Sequence, residues 1–504
     1  MRSAKKKYEF VCQHYRELSL FIGTRSLLEW DQQTKLPPEA CEFRSRQITE
    51  FASEIFRRQT DSKIGDLLED LAHSRLAANP HSDTGATILQ LRREFQKKVK
   101  LPARLVEELA GLTSRAQQIW VDARNANDFS RFAPTLKQIF KLKRQEAEAL
   151  GYEDCPYDAL LDQYEPQMKT SEIRTVLEEL RTDLVPLVAK IADSNVQLPT
   201  EMLNRYYPHA SQEAFVKAIS GHLGFDYQRG RLDTSAHPFC TELGPDDCRI
   251  TTRFDEHFFN SAFFGTLHEA GHGMYEQGLP KEHYGLPLGK FCSLGMHESQ
   301  SRLWENLVGR RLSFWQHFYP VAQDYFPEAL QSVALTDFYR AVNHVQPSLI
   351  RVEADEVTYN LHIIIRFELE QQLLNQELSV KDLPAAWNDS YQKCLGITPD
   401  NDAHGVLQDV HWSLGLIGYF PTYALGNLFA SQIFEAAAKD LGDFDLMFRM
   451  GDFQPLKEWL NHQVHQHGMR YSSSELRQRI TQMPLTHTNL ISQLTEKLAP
   501  IYGW

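Results

Sequence analysis

Along most of this chain the apolar residues recur every three or four positions, and that period confines the fold to packed helices. Ile173, Leu177, Leu180 and Leu184, which follow the cap-like Thr170, Ser171 and Glu172, give one example. Strand-like alternation is rare. Its best instance is DCRITTRF, residues 247–254, where Cys248, Ile250 and Thr252 point one way and Arg249, Thr251 and Arg253 the other. The expected class is therefore all-α, mainly helical, with one small β-sheet.

Turn-rich breaks fall at AANPHSDTG (77–85), LPTE (198–201) and GITPDNDAHG (396–405). None is long or low enough in complexity to be a flexible linker, so residues 1–504 are expected to form one continuous unit. With 42% hydrophobic content such a chain can bury a large core. The formal net charge is −13 with scattered basic residues, which argues against nucleic acid or an anionic membrane as the main partner. No uncharged apolar run approaches the ~18 residues that cross a bilayer, and the basic MRSAKKKYEF runs into a segment too polar for a signal peptide. Seven cysteines without a CxxC pair suit a reducing compartment, so the expected location is cytoplasmic.

FFGTLHEAGHGMYEQG, residues 263–278, carries the chemistry. A helix capped by Asn260 or Ser261 and ending near Gly278 would run roughly 17 residues, about 25 Å. His268 and His272 then stand one turn apart, where both rings can reach one cation at about 2.0–2.1 Å. Glu269 projects roughly 100° away, beside the ion without binding it, where it can take a proton from a water held by the cation. Two histidines merely exposed on a helix are the alternative. Gly265, Gly271 and Gly273 count against it, because each costs a helix about 0.5–1 kcal/mol relative to alanine and so implies close packing or a close ligand.

A third ligand should come from another segment. Glu298, in GMHESQSRLWENL (295–307), opens a second helical pattern through Leu303 and Leu307 that could run beside the first. His283 competes, but the segment lacks the HExxHxxGxxH continuation. Glu298 is preferred. Three protein ligands leave a fourth position for water, the arrangement of a catalytic zinc site, although two imidazoles and a carboxylate also accept Co2+ or Mn2+.

The motifs HPF (237–239), DCRIT (247–251), HEAGH (268–272), HESQ (297–300), IRVEAD (350–355) and GVLQDVHW (405–412) occur in one order along the chain. So do EWDQQTKLPPEA (29–40) and GYFPTYALGN (418–427). Together they resemble the carboxypeptidase Taq family of zinc metallocarboxypeptidases over nearly the whole length. The resemblance implies an almost wholly helical fold of two lobes around a deep groove, like neurolysin and angiotensin-converting enzyme, and a homodimer. It implies release of single residues from peptide C-termini with broad preference. Carried over by position, His268, His272 and Glu298 match the metal ligands and Glu269 the general base.

An enzyme of that kind must hold a free C-terminal carboxylate, which suits a bidentate arginine. Arg351 and Arg249 are the candidates; Arg351 could instead pair with Glu353 or Asp355, and Arg249 lies on a strand whose edge could take substrate backbone. Tyr423, Tyr419 and His411 are candidates to stabilise an oxyanion, and the resemblance to neurolysin favours His411 with Tyr423. Packed core aromatics are the alternative. His297 could orient substrate or simply pack, and His237 could hold the strand or the substrate. Asp409 and Asp355 are candidate acceptors for the metal histidines' second N–H groups. An oligopeptidase or endopeptidase on the same fold, or a silent peptide-binding protein, are the rival readings.

Overall fold

The structure, a computed structural model, describes residues 4–504. Among them are 21 α-helices, linked by short turns and 3-10 segments, and one three-stranded sheet. The helix Thr170–Asp193 shows how the apolar period operates: Ile173, Val176, Leu177, Leu180, Leu184, Leu187, Val188 and Ile191 form its buried stripe. Its start differs from the cap-like residues. Thr170 is itself the first helical residue, and its N–H and hydroxyl both donate to Asp158, at 2.8 and 2.5 Å. A buried carboxylate twelve residues upstream thus does the capping, a partner that local sequence does not announce.

The chain folds into two compact units, each assembled from three stretches: residues 1–99, 198–342 and 433–482 in the first, residues 100–197, 343–432 and 483–504 in the second. No helix among the described residues is long and apolar enough to cross a membrane.

The first unit contains α1 (Ala4–Thr34), the strands β1 (Gly230–Thr234), β2 (Cys240–Gly244) and β3 (Asp247–Thr252), and the helices α2 (Phe259–Gly278) and α3 (Leu294–Arg302). Val11, Tyr15 and Leu18 of α1 close a core with Ile64, Leu68, Leu71, Ile88 and Leu91. In the sheet β3 is central, parallel to β1 and antiparallel to β2. The expected edge position of this strand is therefore corrected: both sides of β3 are already paired, and strand addition along it is closed. Cys248, Ile250 and Thr252 are buried as expected, but Thr251 on the other face is fully buried as well, bonded to Ser235 and the Phe239 backbone, so the alternation holds only in its first half.

In the second unit α4 (Thr358–Leu374) is buried on nearly every side, polar residues included. Asn360, His362, Arg366 and Glu370 are fully buried, and such groups are tolerable only when hydrogen-bonded. Asn360 accepts from Asn427 at 2.9 Å, and His362 Nδ1 pairs with the Tyr391 hydroxyl at 2.9 Å. Arg366 donates to Asp409 and Gln408, while Glu370 accepts from Tyr157, Trp412 and the Gly418 N–H. Burial pushes Glu370 up to about 7, against the pull of those three donors. The consequence is positional: residues 405–418 form turns and no regular element, yet this polar row pins them at Gln408, Asp409, Trp412 and Gly418.

Candidate active site

Helix α2 starts at Phe259, after Phe258 in extended conformation, and has no side-chain cap. Asn260 and Ser261 lie inside it, so the expected cap is corrected; the turn Asp255–Phe258 precedes the helix instead, with the Phe258 N–H bonded to the Asp255 carbonyl at 3.3 Å. The chain enters there because Phe259 is an anchor, stacked with Phe263 and buried against Trp315 and Phe338.

Gly265, Gly271 and Gly273, three of the four glycines of α2, differ in how closely they are packed. A Cβ on Gly273 would meet Phe225 at 2.5 Å and Ile250 of β3 at 3.3 Å, and one on Gly265 would meet the Thr252 hydroxyl at 3.4 Å. At Gly271 it would meet the Gln300 carbonyl oxygen and the Ser301 Cα, both at 2.6 Å. That contact is backbone against backbone, so α3 can approach α2 this closely only across a glycine. Gly271→Ala should push the two helices apart, cost about 1–3 kcal/mol, and weaken metal retention. Thermal unfolding and metal content after dialysis are the measurements, and unchanged values in both would remove the assigned role.

The approach of α3 sets Glu298 opposite the histidines. Glu298 Oε2 lies 3.6 Å from His268 Nε2 and 3.4 Å from His272 Nε2, and the three candidate ligand atoms are all within 4.8 Å of one another. Two ligands bound at about 2.0–2.1 Å in a tetrahedron sit about 3.3–3.4 Å apart, so the donor set and its spacing fit a divalent cation. Electrostatics favour the ligating forms of His272 and Glu298. Burial and the neighbouring His297 push His272 down to about 3, which leaves it neutral. Burial of Glu298 is outweighed by Arg302, His268 and His272, which hold it well below the usual carboxylate range. At His268 burial is outweighed by Glu298 and by the bond to Glu305, which raise it above the usual histidine value, and metal binding would displace that proton.

His268 Nδ1 donates to Glu305 Oε2 at 2.9 Å, which leaves Nε2 to face Glu298. Arg302 ties the two carboxylates together, Nε to Glu298 Oε1 at 2.7 Å and Nη1 to Glu305 Oε2 at 3.3 Å. Burial of Glu305 is outweighed by Arg302 and His268, which hold it at about 2. This corrects the expectation that Asp409 or Asp355 accepts from a metal histidine: the acceptor is Glu305, which sequence reasoning passed over. The signal available was Glu298, Arg302 and Glu305 at intervals of four and three, one face of a continuing helix. Glu305 lies in a π-helical stretch, Leu303–Val308, a conformation found often at functional sites. Glu305→Gln should weaken metal affinity about 10–100-fold, read by competition with a chromogenic chelator. Wild-type affinity in that variant would exclude the orienting role.

Glu269 is buried beside this group, 6% exposed, and burial pushes it up to about 7, with His268 pulling the other way. A bound cation adds positive charge and draws it lower. His297 stacks on His272 with ring centroids 4.3 Å apart, and its Nε2 donates to Glu276 at 2.9 Å. It is thus packed and bonded against a candidate ligand. Arg249 is held by both oxygens of Asp247, at 2.9 and 3.0 Å, and lies over the Trp30 indole at 4.3 Å. His237 is exposed in the turn before β2, where its carbonyl accepts from Ser235.

The remaining candidates lie in the second unit. Arg351, 5% exposed, sits in a 3-10 turn and donates Nε to Asp409 at 2.9 Å and Nη1 to the Tyr359 hydroxyl at 3.0 Å. Its ion-pair partner is neither Glu353 nor Asp355. Asp355 is occupied with the start of α4, accepting from the N–H groups of Val357 and Thr358 and from the Thr358 hydroxyl. Burial of Asp409 is outweighed by Arg351 and Arg366, which hold its carboxyl far below the usual range. His411 is buried, and its Nε2 lies 3.1 Å from the Tyr423 hydroxyl. Burial and Arg351 push His411 down to about 3, so the neutral ring can accept from Tyr423. Tyr419 is half-buried, edge-on to Tyr164 at 5.2 Å and to Tyr423 at 5.3 Å.

A helical fold with two imidazoles and a carboxylate converging, and a further carboxylate alongside, has the donor set of a metallopeptidase. The family description "Carboxypeptidase Taq (M32) metallopeptidase" fits residues 10–498, and the chain belongs to that family. It is 44% identical to thermostable carboxypeptidase 1 of Thermus thermophilus over 505 residues, covering 98% of this chain and 99% of the relative. Identity to carboxypeptidase 1 of Bacillus subtilis is 38%, covering 97% of each. The M32 carboxypeptidase structure from Deinococcus radiodurans superposes with a TM-score of 0.96 at 39% identity, covering 99% of this chain and 100% of that one. The protein is accordingly a metal-dependent peptidase with carboxypeptidase function, acting on peptides.

Proposed function

We propose that this enzyme removes single residues, with broad preference, from peptides carrying a free C-terminus, using one divalent ion held by His268, His272 and Glu298. The observation that supports this is the convergence of two Nε2 atoms and one carboxylate oxygen within 4.8 Å, with Glu269 buried alongside. Zinc suits the set best, and Co2+ or Mn2+ also suit it. Bound there, such an ion supplies Lewis acidity and makes a coordinated water acidic near neutral pH. Glu269 takes a proton from the attacking water and returns it to the leaving amine. Tyr423, oriented by His411, is the proposed hydrogen-bond donor to the oxygen that gains charge. Arg351 and Arg249 are the proposed partners of the terminal carboxylate; each already has an acidic neighbour, Asp409 for Arg351 and Asp247 for Arg249, that would hold its guanidinium in place. A homodimer, on the family resemblance, and a cytoplasmic location, on the sparse cysteines, complete the proposal.

Mass-spectrometric mapping of products from a peptide ladder tests it. The expected pattern is loss of one residue at a time from the C-terminus, abolished by a chelator and restored by a divalent ion. Internal cleavage, or equal cutting of C-terminally amidated peptides, would overturn it in favour of an endopeptidase.

A further inference from the structure

Two thiols that the reaction does not use lie side by side in the sheet. β2 and β3 pair antiparallel, with Cys240 opposite Ile250 and Cys248 opposite Glu242, so the two cysteines are diagonal neighbours on one face. Their sulfurs are 3.7 Å apart, and both thiols are free. Cys248 is 3% exposed, and its sulfur also lies 3.9 Å from the Gly273 carbonyl oxygen of α2. Cys240 is half-buried, the less enclosed residue of the two.

We propose that Cys240 and Cys248 form a dithiol site for thiophilic species that bind two sulfurs at once, trivalent arsenic above all. Unlike a disulfide, such an adduct forms without an oxidant. An S–S bond of about 2.05 Å would require the sulfurs to close by roughly 1.7 Å. An atom bonded tetrahedrally to two sulfurs at about 2.3 Å holds them about 3.8 Å apart, which is the separation already present. Trivalent arsenic makes bonds to sulfur of similar length but is pyramidal with a narrower angle, so it holds two sulfurs a few tenths of an ångström closer, an adjustment within reach of side-chain rotation on one face of the sheet. Reactivity points the same way. The neighbouring Cys248 thiol and burial push the Cys240 thiol up, with Glu276 and Glu269 adding to the effect, so a reagent that needs a single thiolate meets a poor nucleophile.

The reaction with an organoarsenic(III) oxide balances without any redox step. Two S–H bonds break and two As–S bonds form. The oxygen leaves arsenic as water with both thiol protons. A soft divalent metal would also enter the site, but it would compete for His268, His272 and Glu298, whereas an arsenical has no comparable affinity for imidazole or carboxylate.

Phenylarsine oxide is therefore the probe, applied to the whole metal-loaded protein. The expected result is one retained arsenic per chain, removed by 2,3-dimercaptopropanol. After denaturation in iodoacetamide, peptide mapping should show Cys240 and Cys248 protected and Cys41 and Cys155 alkylated. Cys240→Ser and Cys248→Ser should each lose retention, and the wild-type map decides the matter if either variant fails to fold. Adducts located at other cysteines, retention in both single variants, or a Cys240–Cys248 disulfide in place of the adduct would overturn the proposal.

Discussion

Glu269→Gln should keep the metal and lower the rate of C-terminal residue release by about three orders of magnitude, within the range for general acid–base groups. The substitution changes almost nothing else. Glutamine fills the same volume in a position that is only 6% exposed, and the histidines on either side keep their places on α2. What disappears is a group able to take and return a proton. Burial pushes the carboxyl up to about 7, and a bound cation draws it back down, toward the ionised form that accepts a proton. Because proton transfer belongs to the transition state, kcat should fall while KM changes little. Elemental analysis and peptide-release kinetics on one preparation separate the outcomes, and full activity in this variant would exclude Glu269 as the base.

The parts of this protein legible in its sequence are those written as local periodicity. The helical period gave the fold class, and the spacing of four placed His268 and His272 on one face of α2, where the structure has them beside Glu298. The glycines of α2 signalled close approach, although nothing local says that Gly271 faces α3 and Gly273 faces Phe225. The illegible parts are pairings between distant segments. Arg351 and Asp409 stand 58 positions apart, and by sequence Asp409 is equally suited to accept from a histidine. Nothing local marks the polar residues Arg366 and Glu370 as interior, and only the packing around α4 shows them fully buried. The short strands β1 and β2, GRLDT and CTELG, mix polar and apolar residues, so the centrality of β3 could not be inferred. Glu305 escaped notice for the same reason as Arg366.

The largest stability effect should come from Asp409→Ala. The Asp409 carboxylate receives Arg351 Nε at 2.9 Å and Arg366 Nε at 2.6 Å, and these guanidinium-bearing side chains are 7% and 0% exposed. Deleting the carboxylate leaves two cations buried without their anion, and breaking a buried pair from one side costs about 3–5 kcal/mol because the remaining charge stays desolvated. The penalty is expected at the upper end, since the Tyr359 hydroxyl, the Gln408 oxygen and the His362 carbonyl still accept from the arginines but carry no net charge. At about 1 °C per kcal/mol for a chain of 504 residues, the melting temperature should fall by roughly 5 °C. Added salt should rescue little of it, because counter-ions screen buried charges poorly. Asp409→Asn keeps an acceptor without the charge and should fall between the two. In the same variants the proposed role of Arg351 predicts a raised KM for peptides with a free C-terminus, since a guanidinium released from Asp409 no longer holds a fixed direction. A melting temperature within a degree or two of wild type would mean that other anions satisfy both arginines, and Asp409 would lose its place as the pin of this turn segment.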